Sequence, residues 1–423
     1  MNRKLYLAAL GLALTTAAAG TMPVMAEGKD AYTAVAGGKA TFEKYLIMKD
    51  NAEVPNVTFS FTAAPAEKID ASKADGTLKV YKGVGTPTIK NVTFAPADTK
   101  TTYNAVQDLP SGVNVQKQTD GKTTNKDNLT LGDGEKYARK DVTVDLSGIS
   151  FNEPGVYRYV ITEAANADNA ANGISNDADD TRILDVYVVD DADHVGTLKV
   201  EGYVLQNGEP DGTVLKNGDG VAEKSKGFAN KYTTNDLTIS KKVEGNQASR
   251  DEYFKMTVTL SGIAGNVYNV DLTNADATTK KNGVNEGTYT NPSTITVGAD
   301  GTVKQEFWLQ GGQSIVIKGI TANASYTVAE DPATVDAEAY TPTAAVTGDD
   351  AKKDSTKIAM DTTSYAVTDD ALTKDTTVAF TNTKEGTIPT GIIMSVAPYA
   401  AIVLLGGAGA TIVMRKKKEE DAE

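Results

Sequence analysis

Leu237-Thr238-Ile239-Ser240-Lys241-Lys242-Val243 alternates apolar and polar residues, which is the pattern of a β-strand with one buried face. Residues two apart lie on the same face, so Lys241 shares its face with the apolar residues of this stretch. Lys242 falls on the opposite, polar face. Lysine is rarely buried unless it is paired. The alternation therefore predicts a strand that buries Lys241 in a core, next to a polar partner.

The same three residue types occur twice, in the same order, on the apolar faces of predicted strands. A lysine comes first, a glutamate at the end of a later strand comes second, and an asparagine comes third. The residues predicted to be buried in this way are, in chain order, Lys44, Glu163 and Asn230, and then Lys241, Glu330 and Asn382. An internal repeat of this kind places a domain boundary near Thr233 to Asp236.

Burial of these three groups side by side sets up a reaction. Desolvation lowers the pKa of a lysine and raises the pKa of a glutamate, so the amine is neutral and the carboxyl keeps its proton. We expect the protonated carboxyl to donate a hydrogen bond to the asparagine side-chain carbonyl and to polarise it. The amine then attacks that carbon and ammonia leaves. The sequence therefore predicts amide cross-links from Lys44 to Asn230 and from Lys241 to Asn382, each promoted by the glutamate of its set.

Almost every secondary-structure signal in the chain indicates strands. Segments such as 143–146, 184–189 and 314–317 are rich in β-branched residues and are separated by Gly, Asn and Asp. We predict an all-β fold of two tandem immunoglobulin-like β-sandwich domains, residues 27–233 and 234–385. The chain has no cysteine, so an exported fold would need a stabilising cross-link other than a disulfide.

Both ends of the chain indicate export. Residues 1–26 combine a positive start with an apolar stretch and small residues before a cleavage point after Ala26, which is typical of a signal peptide; an uncleaved anchor is the alternative. Near the other end, the uncharged run 392–414 is long enough for one transmembrane helix, and the basic cluster 415–418 follows it. A permanent anchor and a sortase sorting signal both fit this layout. The motif Ile388-Pro389-Thr390-Gly391 favours a sorting signal over residues 386–423, cleaved after Thr390.

Composition argues against several other functions. The net charge is −14, and no basic stripe lies outside the tail, so we expect no nucleic-acid partner. With one histidine, His194, and no cysteine, a hydrolase triad or a zinc site is not expected. The aspartates at positions 177, 179 and 180 fit no EF-hand spacing, and we assign them to solvated turns. We expect no metal, no cofactor and no enzymatic turnover beyond the single intramolecular reaction.

Several stretches follow one another in the order known from one protein family. They are residues 151–159 with Thr162-Glu163, then 237–243, 326–331 and 377–382, and finally the motif 388–391 followed by 396–399. With these landmarks the chain resembles the two-domain backbone pilins of streptococci, whose domains carry internal Lys–Asn isopeptide bonds. Its Ile-Pro-Thr-Gly motif is similar to the Val-Pro-Thr-Gly variant of some pilins and departs from the commoner Leu-Pro-x-Thr-Gly.

The resemblance implies the shaft subunit of a covalent pilus that is anchored to the cell wall and supports adhesion. In that family a pilin-specific sortase joins the threonine of one subunit to a lysine near the end of the next subunit's first domain. Lys224 lies nearest that position, and Lys226 is the alternative. The other implied partners are identical subunits in a head-to-tail fibre, minor pilins, a housekeeping sortase and the peptidoglycan precursor, with the chain passing transiently through the plasma membrane.

Two other functions stay open at this point. A wall-anchored adhesin that is not polymerised would share the signal peptide, the sandwiches and the sorting motif. The linking lysine and a ladder of covalent multimers on cells would distinguish the two. A surface enzyme that uses carboxylates alone is the third reading, although the composition argues against it.

Overall fold

The computed structural model describes residues 33–34, 37–69, 79–102, 115–117, 123–125, 130–131, 134–177, 179–194, 196–216, 222–281, 287–337, 339–348, 358–359 and 365–386. These residues are almost all in strands or in the turns between them, which confirms the predicted all-β class. The two helices that occur among them are short.

The first unit contains the strands up to Tyr232 and one helix. Its elements are β1 (Thr33–Ala34), β2 (Lys39–Lys49), β3 (Val57–Phe59), β4 (Phe61–Pro65), β5 (Val80–Lys82), β6 (Thr88–Ile89), β7 (Val92–Phe94), β8 (Lys100–Thr102), β9 (Val115–Lys117), β10 (Thr123–Asn125), β11 (Thr130–Leu131), β12 (Glu135–Asp145), β13 (Gly155–Glu163), α1 (Ala167–Ala171), β14 (Ile174–Ser175), β15 (Thr181–Asp190), β16 (Leu198–Asn207) and β17 (Gly227–Tyr232).

Two sheets of this unit face each other. One has the order β1-β16-β15-β13-β4, with β5 beside β13, and the other has the order β14-β17-β2-β12-β6, with β8 beside β12. Alternate residues of both sheets, among them Phe42, Leu46, Tyr159 and Leu184, pack into one core. The end of β2 is buried on both faces, because Tyr45 and neighbouring apolar residues form a second, small cluster on its outer side.

The second unit repeats the arrangement with fewer strands. Its elements are β18 (Thr234–Glu244), β19 (Phe254–Ser261), β20 (Val267–Asn274), β21 (Thr278–Lys281), β22 (Gly287–Thr290), β23 (Thr294–Thr296), β24 (Thr302–Leu309), β25 (Ser314–Thr321), β26 (Tyr326–Glu330), α2 (Pro332–Ala337), β27 (Thr341–Thr347), β28 (Ile358–Ala359), β29 (Ala366–Asp369) and β30 (Thr376–Thr383). A sheet of order β23-β20-β25-β18-β30-β27-β28 faces a sheet of order β24-β19-β26-β29 across a separate core.

An early strand and the last strand of each unit lie side by side and run parallel. In the first unit β2 pairs with β17, and in the second unit β18 pairs with β30, while most other neighbours in the sheets are antiparallel. The registers correspond. Lys44 lies opposite Phe228 and Lys241 lies opposite Phe380, so in each unit an asparagine follows two residues further along the last strand.

The two units meet directly, because Thr233 alone separates β17 from β18. At this junction the Tyr232 and Thr321 hydroxyls share a hydrogen bond of 2.8 Å in a buried position. Gly319, at a φ of +69°, packs so closely on Ala52 that a Cβ would lie 2.6 Å from the Ala52 Cα. The predicted domain limits, residues 27–233 and 234–385, stay predictions.

Candidate cross-linking sites

The first polar cluster lies between the facing sheets of the first unit. Strands β2 and β17 present Lys44 and Asn230 from one sheet, and the last residue of β13, Glu163, reaches them from the other. The Lys44 Nζ donates to Glu163 Oε1 at 2.7 Å and contacts Asn230 Oδ1 at 2.5 Å. The Asn230 Nδ2 donates to the same Glu163 oxygen at 2.9 Å. All three side chains are withdrawn from solvent, so strand alternation placed them correctly on the inner face.

The second cluster brings the same three residue types together in the other unit, but its lysine nitrogen does not hydrogen-bond the asparagine oxygen. Lys241 and Asn382 come from the parallel strands β18 and β30, and Glu330 ends β26 on the facing sheet. The Lys241 Nζ lies 2.7 Å from Glu330 Oε1, and the Asn382 Nδ2 donates to that oxygen at 2.8 Å. Lys242, the neighbour that alternation assigned to the polar face, is exposed.

An aromatic ring closes each cluster against water. The Lys44 Nζ lies 4.4 Å from the centroid of the Phe59 ring, and the Lys241 Nζ lies 4.4 Å from the centroid of the Phe254 ring. The face of an aromatic ring attracts a cation, yet it offers no proton acceptor comparable to water. Sequence reasoning missed both phenylalanines, since neither lies on a strand that carries a cluster residue.

Burial shifts the pKa values of both lysine–glutamate pairs. Desolvation lowers the pKa of Lys44 and of Lys241 from the usual 10.5 to about 8, against the opposing attraction of the neighbouring glutamate. Desolvation likewise raises the pKa of Glu163 and of Glu330 above the ordinary glutamate value. Both shifts favour the neutral pair, an amine beside a carboxylic acid, which is the pairing that an attack of the amine on an amide requires.

The carboxyl group contacts a different atom from the one predicted. Sequence reasoning expected the glutamate to donate to the asparagine carbonyl, whereas in both units it contacts the asparagine nitrogen. One oxygen of Glu163 therefore touches both the amine nitrogen of Lys44 and the amide nitrogen of Asn230. This position suits a group that takes a proton from the attacking nitrogen and passes it to the departing one.

A further charged pair lies behind the first cluster. Arg182 is fully buried, and its Nη2 donates to Asp177 Oδ2 at 2.8 Å. The assignment of Asp177 to a solvated turn is therefore wrong, since its side chain is only 7% exposed. Asp179 and Asp180 are exposed. His194 also lies at the surface, where its Nδ1 is 2.8 Å from Asp191 Oδ2.

Comparisons with known proteins agree with this geometry. A family model described as a Spy0128-like isopeptide containing domain matches residues 40–233, and a family model described as a domain of unknown function matches residues 235–384. A pilin from Streptococcus pyogenes serotype M1 is 28% identical over 418 residues, which cover 97% of this chain and 98% of that protein. The chain is thus similar to a streptococcal pilin over nearly its whole length. The crystal structure of the major pilin from Streptococcus pyogenes matches this chain with a TM-score of 0.50 and 22% identity, over 83% of this chain and all of that one, and supports the fold.

The two candidate linking lysines lie just before β17. Lys224 forms an isolated antiparallel bridge with Gln206 at the end of β16, and it is partly exposed. Lys226 is also partly exposed, and its carbonyl oxygen accepts a hydrogen bond from the Glu43 N–H at 2.8 Å. The segment is thus fixed along its backbone by these contacts.

The predicted terminal signals lie outside the described residues. This applies to the signal peptide over residues 1–26, to the motif Ile388, Pro389, Thr390 and Gly391, and to the apolar run 392–414. Within the part of the chain that the structure describes, no helix is long and apolar enough to cross a membrane.

Proposed function

We propose that this chain is the shaft subunit of a covalently polymerised pilus, and that each β-sandwich unit closes itself with one Lys–Asn amide. The observation that carries the proposal is the duplicated cluster: the same three residue types meet in both units, on equivalent strands and in the same register. The similarity to a pilin over nearly the whole length of both chains supports the assignment to the shaft.

The proposed reaction exchanges one amide nitrogen for another. The neutral Lys44 Nζ attacks Cγ of Asn230, a bond forms between them, and the bond from Cγ to Nδ2 breaks. Glu163 accepts a proton from the attacking nitrogen and delivers a proton to Nδ2, which leaves as ammonia. The contact of Lys44 Nζ with Asn230 Oδ1 places the amine beside the amide that it attacks.

The proposed amide bonds stabilise the fold in the way that disulfides stabilise many exported proteins. The chain contains no cysteine, and Lys44 and Asn230 are 186 positions apart. A chain-entropy estimate borrowed from disulfides assigns about 5 kcal/mol of stabilisation to a cross-link over such a loop. An amide, unlike a disulfide, does not respond to reducing agents.

Polymerisation would use residues outside the two clusters. A sortase cysteine attacks the carbonyl of Thr390 and releases Gly391, and the amine of Lys224 on another subunit then takes the threonyl group. The partial exposure of Lys224, six residues before Asn230, supports this choice. A head-to-tail contact of this type propagates a fibre instead of closing a ring. A housekeeping sortase then attaches the finished fibre to the peptidoglycan precursor.

The test is an immunoblot of cell-wall extracts boiled in detergent. Wild-type cells should show a ladder of covalent multimers, and Lys224→Arg, which keeps the charge but removes the usable amine, should leave wall-attached monomer alone. Lys226→Arg is the matched control and should leave the ladder intact. A single band from wild-type cells would contradict polymerisation and support an adhesin that is not polymerised. A ladder that survives the double change would remove this segment from the mechanism.

A further inference from the structure

The turn after β14 encloses the side chain of Asn230. The backbone N–H of Asp177 donates to Asn230 Oδ1 at 3.1 Å. On the other side of the amide, the Asn230 Nδ2 donates to the Asn176 side-chain oxygen at 3.5 Å. The oxygen and the nitrogen of the Asn230 amide are thus both bound by residues of one turn. These contacts are additional to those with Lys44 and Glu163.

The carboxylate of Asp177 ties that turn to the strand that carries Asn230. Its Oδ2 accepts from the Ala229 N–H at 2.7 Å and from Arg182 Nη2 at 2.8 Å. Arg182 in turn donates to the carbonyl oxygens of Gly227 at 2.9 Å and of Thr181 at 2.9 Å. The arginine therefore holds the turn, the start of β17 and the start of β15 together from a fully buried position.

The position of the Asp177 N–H suits the charge that develops during the reaction. When an amine adds to an amide carbon, negative charge accumulates on the oxygen, and a fixed donor at about 2.7–3.1 Å from that oxygen stabilises it. Among the described residues of the second cluster, the corresponding oxygen, Asn382 Oδ1, is buried and has no hydrogen-bond partner. The two sites thus share the lysine, the glutamate and the asparagine. They differ at the asparagine oxygen, which in the described part of the second site is hydrogen-bonded neither by a backbone N–H nor by the lysine nitrogen.

We propose that the Asp177 backbone N–H stabilises the oxygen of Asn230 while the first amide forms, and that the Asp177 side chain and Arg182 are positioning residues that hold this donor in place. The proposal rests on the cross-linking function proposed above. It assigns to the first site an element that is not found among the described residues of the second site, and it implies that the Lys44–Asn230 bond forms faster than the Lys241–Asn382 bond in the same molecule.

The experiment follows both bonds in the full chain during cell-free synthesis. A short labelling pulse is chased, samples are quenched in acid and digested, and mass spectrometry quantifies the two cross-linked peptides against their unlinked forms. The second bond serves as the internal control. Asp177→Ala keeps the backbone N–H but removes the carboxylate that holds it in place. It should slow the first bond at least tenfold and leave the second unchanged, because a displaced donor loses part of the factor of about 10²–10³ that one oxyanion donor contributes. Asp179→Ala, a change in the same turn at an exposed side chain, should leave both rates unchanged.

A conservative variant separates positioning from simple support of the fold. Asp177→Asn keeps an oxygen for the Ala229 N–H and for Arg182, so it should recover most of the rate.

The negative charge of Asp177 raises the pKa of Lys44 and of Glu163, whereas Arg182 lowers the pKa of Lys44. Removal of that charge therefore lowers both pKa values and should move the pH–rate profile of the first bond towards acid, with the profile of the second bond unmoved.

Each outcome decides between the hypotheses. A first bond that forms at the wild-type rate in Asp177→Ala would overturn the inference, and so would an equal slowing of both bonds, which would indicate a general folding defect. A wild-type chain that forms neither bond would instead contradict the cross-linking function itself. A wild-type chain in which the second bond forms first would overturn the assigned difference between the sites.

Discussion

Lys241 and Lys242 are consecutive residues of one strand that differ in the face they occupy. Lys241 is 2% exposed and lies against Glu330 and the Phe254 ring. Lys242 is exposed and pairs with Glu244 on the same strand. Lys241 and Lys242 therefore provide a matched pair of positions for mutation, one buried and one exposed.

Methionine at either position keeps the length of the side chain and removes the amine. Lys241→Met should lower the thermal midpoint by roughly 10–20 °C, because the cross-link over the second unit, worth about 5 kcal/mol, cannot form. Lys242→Met should change it by no more than about 2 °C, since an exposed ion pair contributes little. Differential scanning calorimetry measures both. Equal midpoints for the two variants would show that Lys241 makes no cross-link.

At this scale the sequence located the six cluster residues but not what surrounds them. A period of two assigns each residue to a face, and lysine on an apolar face is conspicuous because its burial is costly. Asp177 gave no such signal, since it lies in a stretch rich in aspartate that reads as a turn. Its role depends on Arg182 and on the Ala229 N–H, contacts that only the folded chain creates.

The paired terminal strands are the elements that decide how the molecule responds to force. In the second unit β18 lies parallel to β30, and the proposed bond joins them at Lys241 and Asn382. A force applied before β18 and after β30 would pass through that bond and leave the rest of the unit unstretched. In the first unit Lys224 lies only a few residues before β17, so force that enters there bypasses most of that unit.

Single-molecule pulling between positions 224 and 385 tests this arrangement. Because the chain has no cysteine, Lys224→Cys and Glu385→Cys provide unique handles. The wild-type background should show no unfolding extension. Lys241→Met should release about 140 residues, or roughly 480 Å of extended chain.

The control for the pulling experiment is Lys44→Met in the same handle background. It should add no extension, because the large loop of the first unit lies outside the path of the force. An unfolding step in the wild-type background would contradict the proposed bond in the second unit.

The sequence did not predict these pairings. Alternation shows which face of a strand is buried, but it does not show which strands are neighbours. The parallel contacts of β2 with β17 and of β18 with β30 join residues far apart in the chain. The repeated order of lysine, glutamate and asparagine was the one sign that early and late strands of each unit meet.

At the scale of the whole molecule, two closed units are joined with a single residue between their strands. The hydrogen bond between Tyr232 and Thr321 and the close approach of Gly319 to Ala52 fix the junction. The division into two all-β units followed from the internal repeat. The direct contact between them did not, because Asn56 and Asn266, which meet there at 2.7 Å, are ordinary turn residues in the sequence.

Intact mass of the recombinant chain, residues 27–390, tests the central claim most directly. If both clusters react, the measured mass falls short of the sequence mass by two molecules of ammonia. Glu163→Ala and Glu330→Ala should each restore one ammonia, and the double variant should restore both, because without the carboxyl no group carries the proton between the two nitrogens. A wild-type mass equal to the mass of the plain sequence would contradict the account.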